Sequence, residues 1–192
     1  MSQMKKLQIL GLCGVARCGK DSFYAVIDPY LRSRGYEPLR FSFADALKDD
    51  VYDFLQEKTG INSFTETTSE KDLIRDFLVS YGSHLMRKIN PRYWIEKVES
   101  EVRVRMRAGA LPVFTDVRYL NELEWIKDEL GGNVIHITRE GTGPANNEEA
   151  LNDPPLHQKA NLKFKWRNFE GEPAANFLSN ETFNAFYQLL AR

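Results

Sequence analysis

Gly14-Val15-Ala16-Arg17-Cys18-Gly19-Lys20 decides how this chain is read. It follows an apolar run, Leu7-Gln8-Ile9-Leu10-Gly11-Leu12, and precedes Asp21-Ser22-Phe23-Tyr24-Ala25-Val26-Ile27, a segment of helical pattern. Strand, glycine-bounded loop, lysine and helix in that order fit a loop that wraps a nucleotide's phosphates. Backbone N–H groups from Gly14 and Ala16 through Gly19 would converge on phosphate oxygens, and the helix N-terminus adds partial positive charge. Lys20 would reach the β- and γ-phosphates as a mobile point charge. The residue after such a lysine is normally Ser or Thr, whose hydroxyl ligates Mg²⁺; here it is Asp21, with Ser22 next. A carboxylate is a good hard-cation ligand, directly or through water, and it also suits a helix N-terminus. Asp21 therefore reads as serving the metal with Ser22 donating to a phosphate, or as a helix cap alone. Which of the two takes the metal stays open.

The 192 residues suggest one α/β domain with room for a lid or insert. With 26 basic and 27 acidic residues the net charge is −1. No global polycation is present to hold long nucleic acid, so anion binding must come from local arginines. Cys13 and Cys18 both fall at the loop, where a disulfide would strain it, so free buried thiols are expected. Two cysteines without nearby histidines do not make a zinc site. The start, Met1-Ser2-Gln3-Met4-Lys5-Lys6, runs straight into the first strand and reads as having no signal peptide. No apolar run approaches the ~20 residues that span a bilayer. A soluble, cytoplasmic chain is expected.

Strand-like runs recur at 7–12, 39–43, 111–115, 133–138 and, more weakly, 162–166, with helical patterns between most of them. That alternation implies a parallel sheet covered on both faces. Asp28-Pro29 predicts a break or kink in the first helix. Single helices are expected over 44–58, 71–88, 93–107, 119–130 and 173–190. The stretches 59–69 and 140–155 lack that pattern. The second, rich in Gly, Pro, Asn, Asp and Glu, reads as a mobile lid over the phosphates or as a solvated surface loop.

Ligands of parallel sheets bind beyond the carboxyl ends of the strands. After the second strand, Asp45 would cap a helix, and Lys48 on its first turn is either an acceptor-phosphate contact or solvent-exposed. After the third comes Thr115-Asp116-Val117-Arg118-Tyr119-Leu120-Asn121-Glu122. Asp116 resembles the carboxylate that orders a Mg²⁺ shell, and Arg118 offers paired donors to a phosphate. Asn121 and Glu122 would read a base edge or cap the next helix. Arg87, at a helix end, is a phosphate contact or a complement to the dipole. Arg139 closes the fourth strand, where a guanidinium could meet charge developing on a transferred phosphoryl group. His84, His136 and His157 are scattered, and Arg103, Arg105 and Arg107 read as a solvated face. Tyr93, Trp94, Tyr119 and Trp125 are open to base stacking or to core packing.

Together, Gly11-Leu12-Cys13-Gly14 with Gly19-Lys20-Asp21-Ser22, Phe43-Ala44-Asp45-Ala46-Leu47-Lys48, Tyr81-Gly82 and Arg87 with Trp94-Ile95, and Asp116-Val117-Arg118 with Asn121-Glu122 resemble the bacteriophage deoxynucleoside monophosphate kinases. The lysine-aspartate variant of the loop is among the more specific marks. The likeness runs from Leu7 to Lys127 and weakens after Arg139, where Asn152-Asp153-Pro154-Pro155 stands in place of the family's Asp-His-Ser-Glu-like lid string. Arg167-Asn168-Phe169-Glu170-Gly171 resembles its turn near the adenine. The resemblance implies a three-layer P-loop kinase with a five-stranded parallel sheet, a core over 5–58 and 109–192, a helical acceptor region over about 59–108 and a lid over about 139–161. It implies transfer of the γ-phosphoryl group of ATP to a deoxynucleoside 5′-monophosphate, with Mg²⁺. Lys20 would cradle the transferred group, with Arg139 and Asp116 beside it. Gly14, Ala16, Arg17, Cys18, Gly19, Asp21, Ser22 and Asn168 would bind ATP. Asp45, Lys48, Arg87, Trp94, Arg118, Asn121 and Glu122 would bind the acceptor, and Asp21 and Asp116 the metal. Other readings are a P-loop kinase with another phosphorylated acceptor or with modified bases of phage DNA, a regulator without transfer activity, and an ATPase or GTPase. Oligomeric state stays open, a homodimer included.

Overall fold

The computed structural model describes residues 7–166 and residue 186. The chain divides into two compact units, Met1–Phe41 with Arg103–Arg192, and Ser42–Val102.

The first unit is built on a five-stranded sheet of β1 (Leu10–Cys13), β2 (Pro38–Phe41), β3 (Leu111–Val117), β4 (Asn133–Arg139) and β5 (Leu162–Trp166). All pairs are parallel, in the order β2-β3-β1-β4-β5. The expected five-stranded parallel α/β sheet is present. The central strands are buried on both faces, which is why β1, β3 and β4 read as continuous apolar runs rather than alternating ones. Helix α1 (Lys20–Ser33) covers one face with Phe23, Ile27 and Leu31, spaced four apart so that they form one stripe. They join Leu10, Leu12, Ile135, Ile137 and Phe164 in the main core. The other face is covered by α7 (Leu120–Glu124) and the π-helical turn Trp125–Glu129. There Trp125 packs edge-on to Phe114 at 5.5 Å.

Three expectations are corrected in this unit. Of the break or kink expected at Asp28-Pro29, the break does not occur: helix α1 runs on to Ser33 with Pro29 inside it. Proline removes the donor to the carbonyl four residues back, here that of Ala25, which is exposed and can turn to water. Asp28 also holds Tyr24 and Arg32 across successive turns. Second, the stretch expected as a loop forms a helix, α8 (Asn147–Lys159), despite Pro154 and Pro155. Their lost donors fall on Ala150 and Leu151, both exposed. Third, β3 does not stop at Thr115 but continues to Val117 through a bulge that pairs Cys13 with Val117. The expected terminal helix lies outside the described residues except Phe186, which is buried and packs edge-on to Phe23 at 6.0 Å.

The second unit is helical: α2 (Phe43–Asp50), α3 (Tyr52–Thr59), α4 (Thr68–Val79), a π-helical turn Ser80–Met86, α5 (Arg87–Ile89) and the first part of α6 (Tyr93–Arg107). Its small core is Val51, Leu55 and Ile74, with Ile61, Phe77, Leu78 and Tyr81 against them. The single helix expected over 44–58 breaks at Val51, whose backbone leaves helical geometry (φ −109°, ψ 3°) so that its side chain is buried. Helices α2 and α3 fall in this unit with α4, α5 and the start of α6.

Candidate functional site

The strand order reverses direction beside β1, and the carboxyl end of that strand is where an open parallel sheet binds its ligands. The chain leaving β1 there turns sharply three times into the left-handed region, at Gly14 (φ 126°), Arg17 (φ 63°) and Gly19 (φ 96°). Arg17 is the single non-glycine residue with positive φ among the described residues. A side chain at Gly14 would meet the Ile137 carbonyl oxygen at 2.2 Å, and one at Gly19 would meet the Trp166 indole nitrogen at 2.6 Å. Only glycine fits either place. Turns of this kind point successive N–H groups into one concavity, an anion nest.

Lys20 is the first residue of α1, and its Nζ folds back to donate to the carbonyls of Gly14 and Val15, both at 2.8 Å, with the Cys18 sulfur at 3.7 Å. The ammonium thus sits over the loop. Asp21 lies in the first turn of α1 and is exposed, and Ser22 beside it is half-buried. Cys13 and Cys18 are free and buried. Burial, aided by the Asp153 carboxylate, pushes the Cys13 thiol far up; burial also raises Cys18, against the pull of Lys20.

Asp116 is the half-buried penultimate residue of β3, one step before the partner of Cys13. Arg139 ends β4, on the other side of β1. Asp116 and Arg139 therefore come from the carboxyl ends of the two strands that flank β1, and Lys20 from the start of the helix that follows β1. Arg118 follows β3; its guanidinium is half-exposed and donates to Glu149 Oε1 at 3.3 Å. Asn168 lies outside the described residues.

Of the two readings of Glu122, the helix cap is the one present, and its place in the acceptor site is corrected. The residue is fully buried, and its Oε2 accepts the backbone N–H groups of Arg118 at 2.8 Å and Tyr119 at 3.1 Å. That is the returning half of a capping box, so Glu122 shapes the turn that presents Arg118 and is not exposed to read a base. Asn121 Oδ1 accepts the N–H of Glu122 at 3.0 Å.

The remaining acceptor candidates belong to the helical unit. Ser42, not Asp45, caps α2, accepting the Asp45 N–H at 3.2 Å. Asp45 occupies the third position of that turn. Lys48 stands over the Phe64 ring at 5.3 Å. Arg87 is half-buried at the start of α5. Trp94 is corrected too: it is 2% exposed and donates to the Gly82 carbonyl at 3.2 Å, between Tyr81 and Tyr93. A ring this buried offers no face to a base, so the core-packing alternative holds. The unit's own polar centre is Asp50, which accepts Tyr81 at 2.7 Å, Tyr93 at 3.1 Å and Lys97 at 2.5 Å. Burial would raise its carboxyl, but these three donors outweigh burial and hold it below the ordinary value.

Sequence reasoning missed Glu149 and the pair His136–Asp153. Glu149 accepts the Ala16 N–H of the loop at 3.1 Å and the Ala145 N–H at 2.9 Å. Asn146 caps α8 by accepting the Glu149 N–H at 2.9 Å, a local signal for the helix but not for the contact with Ala16. His136, 1% exposed on β4, meets Asp153 on α8 at 2.8 Å through Nε2. Burial lowers its basicity, against the pull of that carboxylate.

Among the described residues no group of three or more His, Cys, Asp or Glu could hold a metal ion, and no helix is long and apolar enough to cross a membrane. No family model matches the chain, and no curated protein matches it. Among solved structures it is similar to TT1252 from Thermus thermophilus, at 14% identity and a TM-score of 0.44, covering 96% of this chain and 99% of that one. It is also similar to a dephospho-CoA kinase from Campylobacter jejuni, at 13% identity and 0.47, covering 94% and 96%. Likeness this distant carries no residue roles into the chain.

Proposed function

We propose that the chain is an ATP-dependent phosphotransferase whose acceptor is itself phosphorylated, with a deoxynucleoside 5′-monophosphate as the acceptor class. The observation that carries this reading is the loop between β1 and α1. Its three left-handed residues and the Lys20 ammonium lying over it form a cradle suited to a polyphosphate. The acceptor class rests on the resemblance of the Asp116–Glu122 string to the phage kinases and on the exposed guanidinium of Arg118.

The donor set suits Mg²⁺. That ion keeps several waters and takes one or two carboxylates plus substrate phosphates, rather than an all-protein cage. Asp116 at the end of β3 and Asp21 in the first turn of α1 are such carboxylates, and Ser22 is the neighbouring hydroxyl. Bound there, the ion would neutralise charge on the β- and γ-phosphates. Loop amides and Lys20 would hold the same phosphates, Arg118 would grip the acceptor phosphate, and Arg139 would meet charge on the group in flight. The acceptor phosphate is already an anionic nucleophile at neutral pH. One of its oxygens bonds to the γ-phosphorus as the bridge to the β-phosphate breaks, giving ADP and a diphosphate. No protein base or covalent intermediate is needed, so alignment and charge neutralisation do the work.

The test is acceptor-dependent ADP formation with ATP and Mg²⁺, offering each deoxy- and ribonucleoside monophosphate singly. Rapid ADP release with at least one deoxynucleotide, abolished in a folded Lys20→Ala variant, is the expected result. ATP binding with no stimulation by any monophosphate sinks the acceptor class and turns the search to other phosphorylated acceptors.

A further inference from the structure

The phosphate loop carries an anion of its own. Glu149 Oε2 takes the Ala16 N–H at 3.1 Å, from 133 residues away in sequence, while Oε1 takes Arg118 at 3.3 Å. A loop amide and the guanidinium beside it are the donors a phosphate would use, and one carboxylate fills both. The Glu149 side chain is only 12% exposed. It is aimed by the first turn of α8, where Asn146 caps the helix and the Ala145 N–H also donates to Oε2. The preceding residue, Glu148, accepts the Tyr119 hydroxyl. Farther along, α8 is fastened separately. Asp153 holds His136, Lys127 donates to the Lys159 carbonyl at 2.6 Å, and Lys159 pairs with Glu124 at 2.6 Å. Just before the helix, Gly141 (φ 74°) and Gly143 have open space around them. Releasing Glu149 therefore asks for movement of that one side chain, with α8 still fastened farther along.

We propose that Glu149 is a built-in occluder of the phosphate loop: its carboxylate occupies the amide of Ala16 and the guanidinium of Arg118 until a nucleotide phosphate displaces it. The Ala16 amide has one hydrogen to give, so carboxylate and phosphate exclude one another there. Displacement frees Arg118 in the same event, coupling ATP entry to the grip on the acceptor. This rests on the loop's reading as a nucleotide site.

A loop closed about nine-tenths of the time weakens apparent affinity about tenfold. The experiment is calorimetric titration of Mg-ATP, without acceptor, into the wild type, Glu149→Ala and Glu149→Gln, with circular dichroism to verify folding. Glu149→Ala should bind ATP about tenfold tighter. Glu149→Gln, which keeps a neutral acceptor for the amide but loses the charge facing Arg118, should fall between. Hydrogen exchange of the 14–19 segment, measured without nucleotide, should be faster in Glu149→Ala, and ATP should slow it in all three proteins. Equal or weaker ATP affinity in both folded variants, with the wild type binding, overturns the occluder alone. ATP binding by none of the three overturns the nucleotide reading and the occluder together.

Discussion

Replacing Gly14 by alanine tests the loop where its geometry is most demanding. At φ 126° a side chain is strained wherever it points, and here the new Cβ would lie 2.2 Å from the Ile137 carbonyl oxygen and 3.0 Å from the Cys18 sulfur. The backbone strain costs about 1–3 kcal/mol. The overlap is with main chain of β4, which cannot rotate away, so loop and strand must part at a further cost of about 1–3 kcal/mol. For a chain of this size each kcal/mol moves the melting temperature by about 2–4 °C, so a fall of roughly 5–20 °C follows. Gly109→Ala is the control: it too has a positive φ, 91°, but nothing lies within 4 Å. It should carry the strain alone and melt roughly 2–10 °C below the wild type. The Gly14 carbonyl also anchors Lys20 Nζ, so ATP affinity should fall about tenfold or more in Gly14→Ala and hold in Gly109→Ala. Thermal melts followed by circular dichroism, with ATP titration on the same samples, decide it. If the two variants melt together and Gly14→Ala binds ATP normally, the loop is not the tight cradle described.

Both thiols are buried and raised by burial, so a thiol reagent at pH 8 should label neither at the native rate of an exposed cysteine. Labelling should accelerate only on unfolding, as a time course with and without denaturant would show; two rapid native equivalents would contradict their placement. In the helical unit Asp50 is held below its ordinary carboxylate value, so its contribution is present above 3.8 and lost as pH falls through the lower folded value. Asp50→Asn should cost about 1–3 kcal/mol at pH 7, mostly through the Tyr81 and Tyr93 hydroxyls. The share of exposed Lys97 is at most about 1 kcal/mol, and urea titrations at pH 7 and pH 3 should show the gap narrowing in acid. His136 has its folded value depressed, so its contribution is complete above the ordinary value of 6.5 and is lost as pH falls below it. His136→Gln should flatten the wild type's loss of stability between pH 6.5 and 5; an unchanged slope would place that loss elsewhere.

The sheet and the loop were legible because both are dictated locally. Parallel strands buried on both faces need apolar residues on both, and Leu10–Cys13, Leu111–Phe114 and Val134-Ile135 with Ile137 supply them. The loop needs glycine where a Cβ cannot go, and Gly14 and Gly19 stand there. Helix α8 was hidden by Pro154-Pro155, a pair that argues against any helix. Yet the Asn146-to-Glu149 spacing is a capping signature, and the prolines are tolerated because the carbonyls they orphan face water. Trp94 was ambiguous for a different reason. Nothing local says whether an indole faces a ligand or, as here, donates to the Gly82 carbonyl inside a core.

Carboxylates divide the same way. Glu122 serves backbone three and four residues before it, a role its spacing announces. Glu149 serves an amide 133 residues away, which no local pattern can announce. That distance also reconciles the two readings of Arg118, as a grip for the acceptor and as the partner of Glu149. If Arg118 grips the acceptor as proposed, its resting pair has to be weak enough to give way. The 3.3 Å contact is long, and the guanidinium is 52% exposed, so the pair contributes no more than about 1 kcal/mol. Both partners of Arg118 are anions, but Glu149 takes a single contact, whereas a phosphate can be met by two parallel N–H donors. Under the proposed reading the Arg118 half of the Glu149 contact is the weaker restraint, and the Ala16 amide carries the larger share of the occlusion.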